Sequence, residues 1–380
     1  MDTANRPREF ETADKLREFL RHGRDLQRAV FQDLDLHPFV DELMKCDLRH
    51  TVFLGCEVPD EIYQVAGQND SILFPHVPDT PFRKYRGTLY TPEELQAGYV
   101  VGDESSYDET LDGRIFNHYR QTGPDPKDVV EALTRRLHDM SITDALREFI
   151  EGRKVVSIMG GHSMGRDDPM YGEVAKLARD LTRRGFLVAT GGGPGAMESA
   201  HLGAWFAERA DSEIDQAVKI LSRAPLYDPK GPWLDAAFEV VERFPLSDRQ
   251  ACQSLGIPTW LYGHEPPARF ALTIAKYFAN SVREEGLLAI SKGGVVFTPG
   301  SAGTIQEIFQ DATQNHYLSF GVISPMIFMG RRYWSETKPV YPLLQKLSKG
   351  HKYGELLGIH DDRHAIAAAL QSFDDSRDDY

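Results

Sequence analysis

The sequence holds only three cysteines, Cys46, Cys56 and Cys252, in 380 residues. They are far apart, give no metal-ligand spacing, and suit free thiols in a reducing cytoplasm. No apolar run approaches the ~20 residues of a membrane span. The first residues, MDTANRPREFETADKLREF, are polar and charged with no apolar signal core. A soluble, cytoplasmic protein with no membrane partner is expected. Basic excess is missing as well. A net charge of −14 argues against a general nucleic-acid binder, which would carry a basic footprint. It leaves room for a small anionic ligand, because a local nest of N–H groups overrides global charge. No Lys-Ser/Thr follows Gly303, so the Walker pattern is absent. A G-x-G-x-x-G turn with an acid about 20 residues on is also absent, which disfavours a dinucleotide hydride carrier. His264-Glu265 runs into Pro266 and Pro267, which forbid a helical His-x-x-x-His pair, and no metal is expected.

What is present is the composition of a globular enzyme, with 41% hydrophobic and 26% charged residues. The length allows two domains. Residues 1–150 carry short apolar stripes such as Leu16, Phe19 and Leu20, and a core strand at Thr51-Val-Phe-Leu-Gly. Two short Asp-Leu units there resemble a pentapeptide repeat, but two units cannot stack into a solenoid. Thr91 is placed to cap a helix. No chemistry is assigned to this region, whose expected role is packing, assembly or regulation.

From Lys154 the pattern becomes α/β: apolar strands and amphipathic helices alternate, as in a doubly wound, Rossmann-like parallel sheet with helices on both faces. This domain is read over 151–345, with a helical insertion at about 208–250. The sheet is expected to resume at Ile257-Pro-Thr-Trp-Leu-Tyr, followed by a long helix from about Pro267 to Glu285. A C-terminal helix and an acidic tail ending at Tyr380 complete the chain over 346–380.

Three Gly-rich loops follow three of the strands, at Gly160–Gly165, Gly191–Gly195 and Gly300–Gly303. A single such loop need only be a tight turn. Three belong together on the carboxyl edge of a parallel sheet, where ligands bind. Gly300, Ser301, Ala302, Gly303 and Thr304 leave N–H groups uncovered at a helix start, a site for a phosphate. Glu307 lies one turn further on. It is a candidate for chemistry, although a first-turn carboxylate also complements the helix dipole. Arg283 is placed near the end of the preceding helix and shares a face with Asn280 and Glu284 at i, i+3 and i+4 spacing. Cys252 reads as a core residue.

Gly191-Gly-Gly-Pro-Gly-Ala-Met197 and Pro299-Gly-Ser-Ala-Gly-Thr-Ile-Gln-Glu307 together resemble the signature loops of the Lonely Guy (LOG) family. The resemblance covers about residues 153–345. It implies hydrolysis of the N-glycosidic bond of nucleoside 5′-monophosphates, giving free base and ribose 5-phosphate. It further implies Glu307 and Arg283 as the catalytic pair, residues 300–304 on the 5′-phosphate, and Gly191, Gly192, Gly193, Gly195 and Met197 beside ribose and base. Gly160, His162, Ser163 and Asn280 would complete the pocket. No cofactor is implied, and a homodimer or larger assembly is. The added N-terminal region and the helical insertion resemble the long bacterial nucleotide nucleosidases, a resemblance stronger over the stretch from Tyr262-Gly-His-Glu-Pro through Arg283-Glu-Glu-Gly-Leu-Leu than over residues 1–150. The sequence departs from the family at Ser301, where a Gly is usual, at Gln306, where a Glu is frequent, and in the Asn280-Ser-Val-Arg-Glu context of Arg283. A non-catalytic nucleotide-binding or regulatory protein on the same fold is the alternative.

Overall fold

The computed structural model describes residues 7–77 and 80–375. The last part of the acidic tail, 376–380, lies outside the described residues. Two compact units form: Met1–Leu89 with Asp125–Arg147, and Tyr90–Pro124 with Glu148–Tyr380. In chain order the first six helices are α1 (Ala13–His22), α2 (Val40–Leu43), α3 (Asp60–Gln68), α4 (Pro92–Leu95), α5 (Leu111–Thr122) and α6 (Val129–Ile150).

The first unit is a stack. Strands β1 (Glu9–Phe10), β2 (Val30–Gln32), β3 (Val52–Leu54) and β4 (Ile72–Phe74) pair in sequence order, all parallel. Successive partners lie 21, 22 and 20 residues apart, so each turn of chain is one short strand and a return segment. Phe10, Phe31 and Phe53 take the same place in three turns and stack with centroids 5.3 and 5.0 Å apart. The bridges Asp25↔Asp47 and Asp35↔Glu57 extend the ladder into the loops. The Asp-Leu units do not set this stack, which follows a longer repeat. The repeating unit is about four times longer than a pentapeptide, and its marker is a buried aromatic, not the Asp-Leu pair.

The second unit carries a seven-stranded sheet in the order β11-β10-β9-β5-β6-β7-β8, parallel throughout. Its strands are β5 (Lys154–Met159), β6 (Phe186–Thr190), β7 (Ser254–Gly256), β8 (Thr273–Ile274), β9 (Val295–Phe297), β10 (Met326–Met329) and β11 (Leu357–His360). The helices are α7 (Pro169–Arg183), α8 (Ala196–Trp205), α9 (Asp211–Leu221), α10 (Lys230–Arg243), α11 (Asn280–Ile290), α12 (Ala302–Tyr317), α13 (Val340–Leu347) and α14 (Arg363–Asp375). Apolar cores built on separate sets of side chains cover the sheet. One gathers Val156, Ile158, Leu177, Val188, Val296, Ile327 and Leu370. The other packs Trp205, Phe206, Ile214, Val240, Phe244 and Phe270. The fold is α/β with helices flanking parallel sheets, as the continuous apolar strands require. The chain starts in the middle at β5, builds outward to β8, then crosses back to β9. The direction of winding therefore reverses between β5 and β9, the place where such sheets open a crevice.

Two expected elements differ. The strand near residue 257 is Ser254–Gly256, and Trp260–Tyr262 is a 3-10 turn capped by Thr259. The long helix from Pro267 does not form: Thr273–Ile274 is an edge strand and α11 starts at Asn280. Phe270, Ala271, Leu272, Ile274, Ala275, Tyr277 and Phe278 are all buried, so apolar side chains occur at every spacing and the helical one carries no information. Arg283 accordingly lies in the opening turn of its helix and not near its end.

Buried charge also holds this unit. Lys276 and Asp112 are fully enclosed and form an ion pair, and the Tyr107 hydroxyl donates to the second Asp112 oxygen at 2.7 Å. Removing one partner strands the other charge in a low dielectric. Asp112→Ala is therefore expected to cost about 3–5 kcal/mol in urea unfolding. The double change Asp112→Leu with Lys276→Met should recover most of that loss. A single variant as stable as the parent would show that the pair contributes nothing.

Candidate functional site

A cleft of about 590 Å³ opens at the carboxyl edge of the seven-stranded sheet. Loops after β5, β6, β7 and β9 line it, so all three Gly-rich loops reach one cavity. The loop after β5 is joined to that after β9 by a hydrogen bond from the Gly161 N–H to the Pro299 carbonyl, 3.1 Å. It is anchored further along by Arg166, whose guanidinium bonds Glu198 and the Trp233 carbonyl inside the core. Tyr171 adds a 2.8 Å bond to the same carboxylate.

The wall after β9 is the start of α12. Ser301 stands at the N-cap and makes no capping side-chain hydrogen bond. The first-turn N–H groups thus have no side-chain acceptor supplied at the cap, and Ser301, Ala302, Gly303 and Thr304 line the cleft beside them. Gly300 does not line it. Its carbonyl accepts from the Tyr333 hydroxyl at 2.5 Å and the Lys338 ammonium at 2.8 Å, which pin the loop from behind.

Arg283 forms the floor. It is buried, and its Nε–H donates to the Ile257 carbonyl at 2.7 Å. A Cβ on residue 191 would lie 2.0 Å from its Nη2, so glycine is the residue that admits the guanidinium. Glu307 lines the same cleft. Burial pushes its carboxyl up to about 7, the positive charge of Arg283 opposes that shift, and Glu284 adds to it. Part of the side chain is still reached by solvent through the cleft mouth, so the protein walls, not complete enclosure, remove most of the water around the carboxyl. Glu284 is held from two sides, accepting from Asn280 Nδ2 at 2.7 Å and Gln306 Nε2 at 3.2 Å. A glutamate at 306 would put a second negative charge there, which gives the amide at that position a physical reason.

Gly160, His162, Gly191, Gly193, Met197, Arg283, Ser301, Ala302, Gly303, Thr304 and Glu307 therefore meet in one place. Ser163, Gly192, Gly195, Asn280 and Gly300 do not line it. Gly192 and Gly195 shape the turn with φ of +74° and +69°, and Asn280 acts through Glu284. Sequence reasoning missed Thr259, Tyr262, His264 and Glu265, which come from the irregular loop after β7. Glu265 accepts from His162 Nδ1 at 2.7 Å, a pairing across 103 residues that leaves no local signal.

It also missed Asp311, one turn beyond Glu307 on α12. Asp311 is buried, its Oδ2 has no hydrogen-bond partner among the described residues, and burial pushes its carboxyl up to about 8. The folded chain then keeps a proton that the unfolded chain releases near its ordinary 3.8. Stability should fall as pH rises through that window and level off above it. Glu307 adds a fall in the same direction between 4.5 and about 7. Asp311→Asn is expected to lose about 1 kcal/mol or more less stability than the parent between pH 5 and pH 8 in urea titrations. Parallel pH profiles for the two proteins would refute the assignment.

No family model matches the chain. No curated protein matches it either. Solved structures do match. The molybdenum cofactor binding protein from the phototrophic bacterium Rippkaea orientalis is 15% identical and covers 58% of this chain and 97% of its own, with a TM-score of 0.38. The molybdenum cofactor carrier protein from Chlamydomonas reinhardtii is 14% identical over 58% of this chain and 97% of its own, with a TM-score of 0.35. The expected membership of the LOG family is corrected here: no family model matches the chain. The expectations of an N-glycosidase and of a nucleoside 5′-monophosphate as its substrate are corrected with it. The physical reason lies in what the two motifs encode. They specify small residues around an open helix start and a glycine under a guanidinium, which any anion cleft at such a sheet edge needs, whatever follows binding.

Among the described residues no helix is long and apolar enough to cross a membrane.

Proposed function

We propose that this chain binds a small phosphorylated heterocyclic ligand in the cleft and releases it chemically unchanged. The observation that carries the reading is the uncapped start of α12 facing the same cavity as the buried Arg283. The helix start supplies oriented N–H donors and the positive dipole end, and Arg283 supplies full charge in a site poor in water. The volume suits a ligand of nucleotide size, since such pockets run about 300–1,000 Å³. The remaining loops, after β6 and β7, offer surface for a ring.

The Rippkaea and Chlamydomonas proteins are described as binding or carrying the molybdenum cofactor, and that cofactor belongs in the ligand panel. Its phosphate fits the same donors, Ser301 to Thr304 and Arg283. Among the described residues no group of three metal-ligating side chains lies in the cleft, so this chain would hold the cofactor through its organic part.

The test is calorimetric titration with inorganic phosphate, nucleotides and the molybdenum cofactor, followed by chromatography of the recovered ligand. Binding with the ligand returned intact is the expected result. Arg283→Ala should weaken phosphate-bearing ligands about tenfold to a hundredfold, the loss of a hydrogen bond to a charged group. No binding by any member, or repeated conversion of one, would overturn the reading.

A further inference from the structure

The cleft holds a carboxylate that neither the phosphate wall nor the floor uses. Glu265 follows the 3-10 turn Trp260–Tyr262, and its side chain is only 11% exposed. His162 occupies Oε1 at 2.7 Å, and the His264 ring is 3.9 Å from that same oxygen. Donation from His162 Nδ1–H fixes the orientation of the carboxylate. No described residue donates to Oε2. That oxygen lies over Gly193, 3.1 Å from where a Cβ would stand, and both residues line the cavity. The absence of a side chain at 193 keeps the approach to Oε2 open.

Topology sets how far this group is from the phosphate wall. The loop bearing Ser301 follows β9 and the loop bearing Gly193 follows β6, with β5 between them. Two strand spacings are about 10 Å, so a ligand held at α12 would present its far end to Oε2. Among the charged and titratable residues lining the cavity, Arg283 is the cation at its floor, Glu284, Glu307 and Glu265 are acids, and His162, His264 and Tyr262 are the remaining titratable groups. At the far end Glu265 is therefore the anionic acceptor.

Building on the binding function above, we propose that Glu265 is the specificity-determining residue of the cleft and reads a heterocycle edge carrying adjacent ring N–H and amino donors. A 2-amino-4-oxopyrimidine ring has that edge, whether it belongs to a guanine or to a pterin. The ring N–H and the amino group face one carboxylate together: Oε2 takes one donor, and the unused lone pair of Oε1 takes the other. His162 is a positioning residue. It holds the carboxylate and does not touch the ring.

Two ligand pairs differing by the amino group test this and separate the two sources. They are a guanine against a hypoxanthine nucleotide, and a pterin phosphate against its 2-desamino analogue, each titrated beside inorganic phosphate. The parent protein should prefer the amino-bearing member of at least one pair roughly tenfold, as expected for loss of one hydrogen bond to a charged acceptor. Glu265→Gln should bring that ratio close to one and leave inorganic phosphate affinity within about twofold, which a collapse of the cleft would not do. Gly193→Ala should weaken every ring-bearing ligand and spare inorganic phosphate, since the new methyl meets Oε2 and the flexible Met197 tip, not backbone. A parent that prefers neither amino-bearing ligand, or a Glu265→Gln variant that keeps the parental ratio, overturns the role of Glu265. Failure of the parent to bind phosphate or any phosphorylated ligand would instead remove the binding function on which it rests.

Discussion

Arg283 can occupy the floor of the cleft only because residue 191 has no side chain. With a methyl there, the Cβ would stand 2.0 Å from the Nη2 of Arg283, and the guanidinium would have to shift. Its Nε bond to the Ile257 carbonyl then ties α11 to the loop after β7, while its body rests on the loop after β6. The charge that results is what makes the remaining site tolerable. Glu307 and Glu284 face the same water-poor space, and Arg283 is the group that offsets their repulsion. Take it away and the acids lose their counter-charge, the α12 wall loses its partner for an anion, and the glycine at 191 loses its purpose.

That contact depends in turn on the order of the strands. Because the chain leaves β5 in one direction and returns to β9 on its other side, loops far apart in sequence meet above neighbouring strands. Small residues let them come close, and buried polar anchors keep them there. Arg166 with Glu198 fixes the loop after β5, and Tyr333 with Lys338 fixes Gly300. Neither anchor faces the cleft. Both hold the backbone that does, and the first encloses a charge pair that only close pairing makes bearable.

Much of the second unit was legible in the sequence. Continuous apolar runs mark the strands before the Gly-rich turns, β5, β6 and β9, and those three turns all reach the cleft. Glu307 was singled out because it lies one helical turn beyond a marked loop, and Arg283 because it was placed on the helix before that loop. What could not be read divides into two physical kinds. In the segment 270–278 every side chain except that of Thr273 is buried, so periodicity had no polar face to reveal and a helix was read where the chain is extended. Glu265 and Asp311 were invisible for the opposite reason. Their importance comes from partners, or the lack of one, created by folding across long separations. The stack of the first unit was missed because its period exceeds twenty residues and its marker is one phenylalanine in each of three turns. The LOG resemblance failed at another level: the motifs describe how the backbone makes room for an anion, and that room is common to chemistries that differ.

Glu307 illustrates why room and reaction must be kept apart. A carboxyl held near 7 in a cleft of this kind has the properties wanted of a general acid or base. The same properties serve a binding site. In its neutral form Glu307 donates a hydrogen bond, which an anionic oxygen accepts, and it adds no repulsion. In its ionised form it opposes the charge that the α12 start and Arg283 attract. An anion entering the cleft therefore favours the protonated carboxyl, and by linkage the protonated carboxyl favours the anion. A poised pKa thus measures how far the walls have stripped water from the acid. It becomes evidence for catalysis only when a bond to be broken is placed beside it, and the groups around Glu307 are those that would hold a ligand in place.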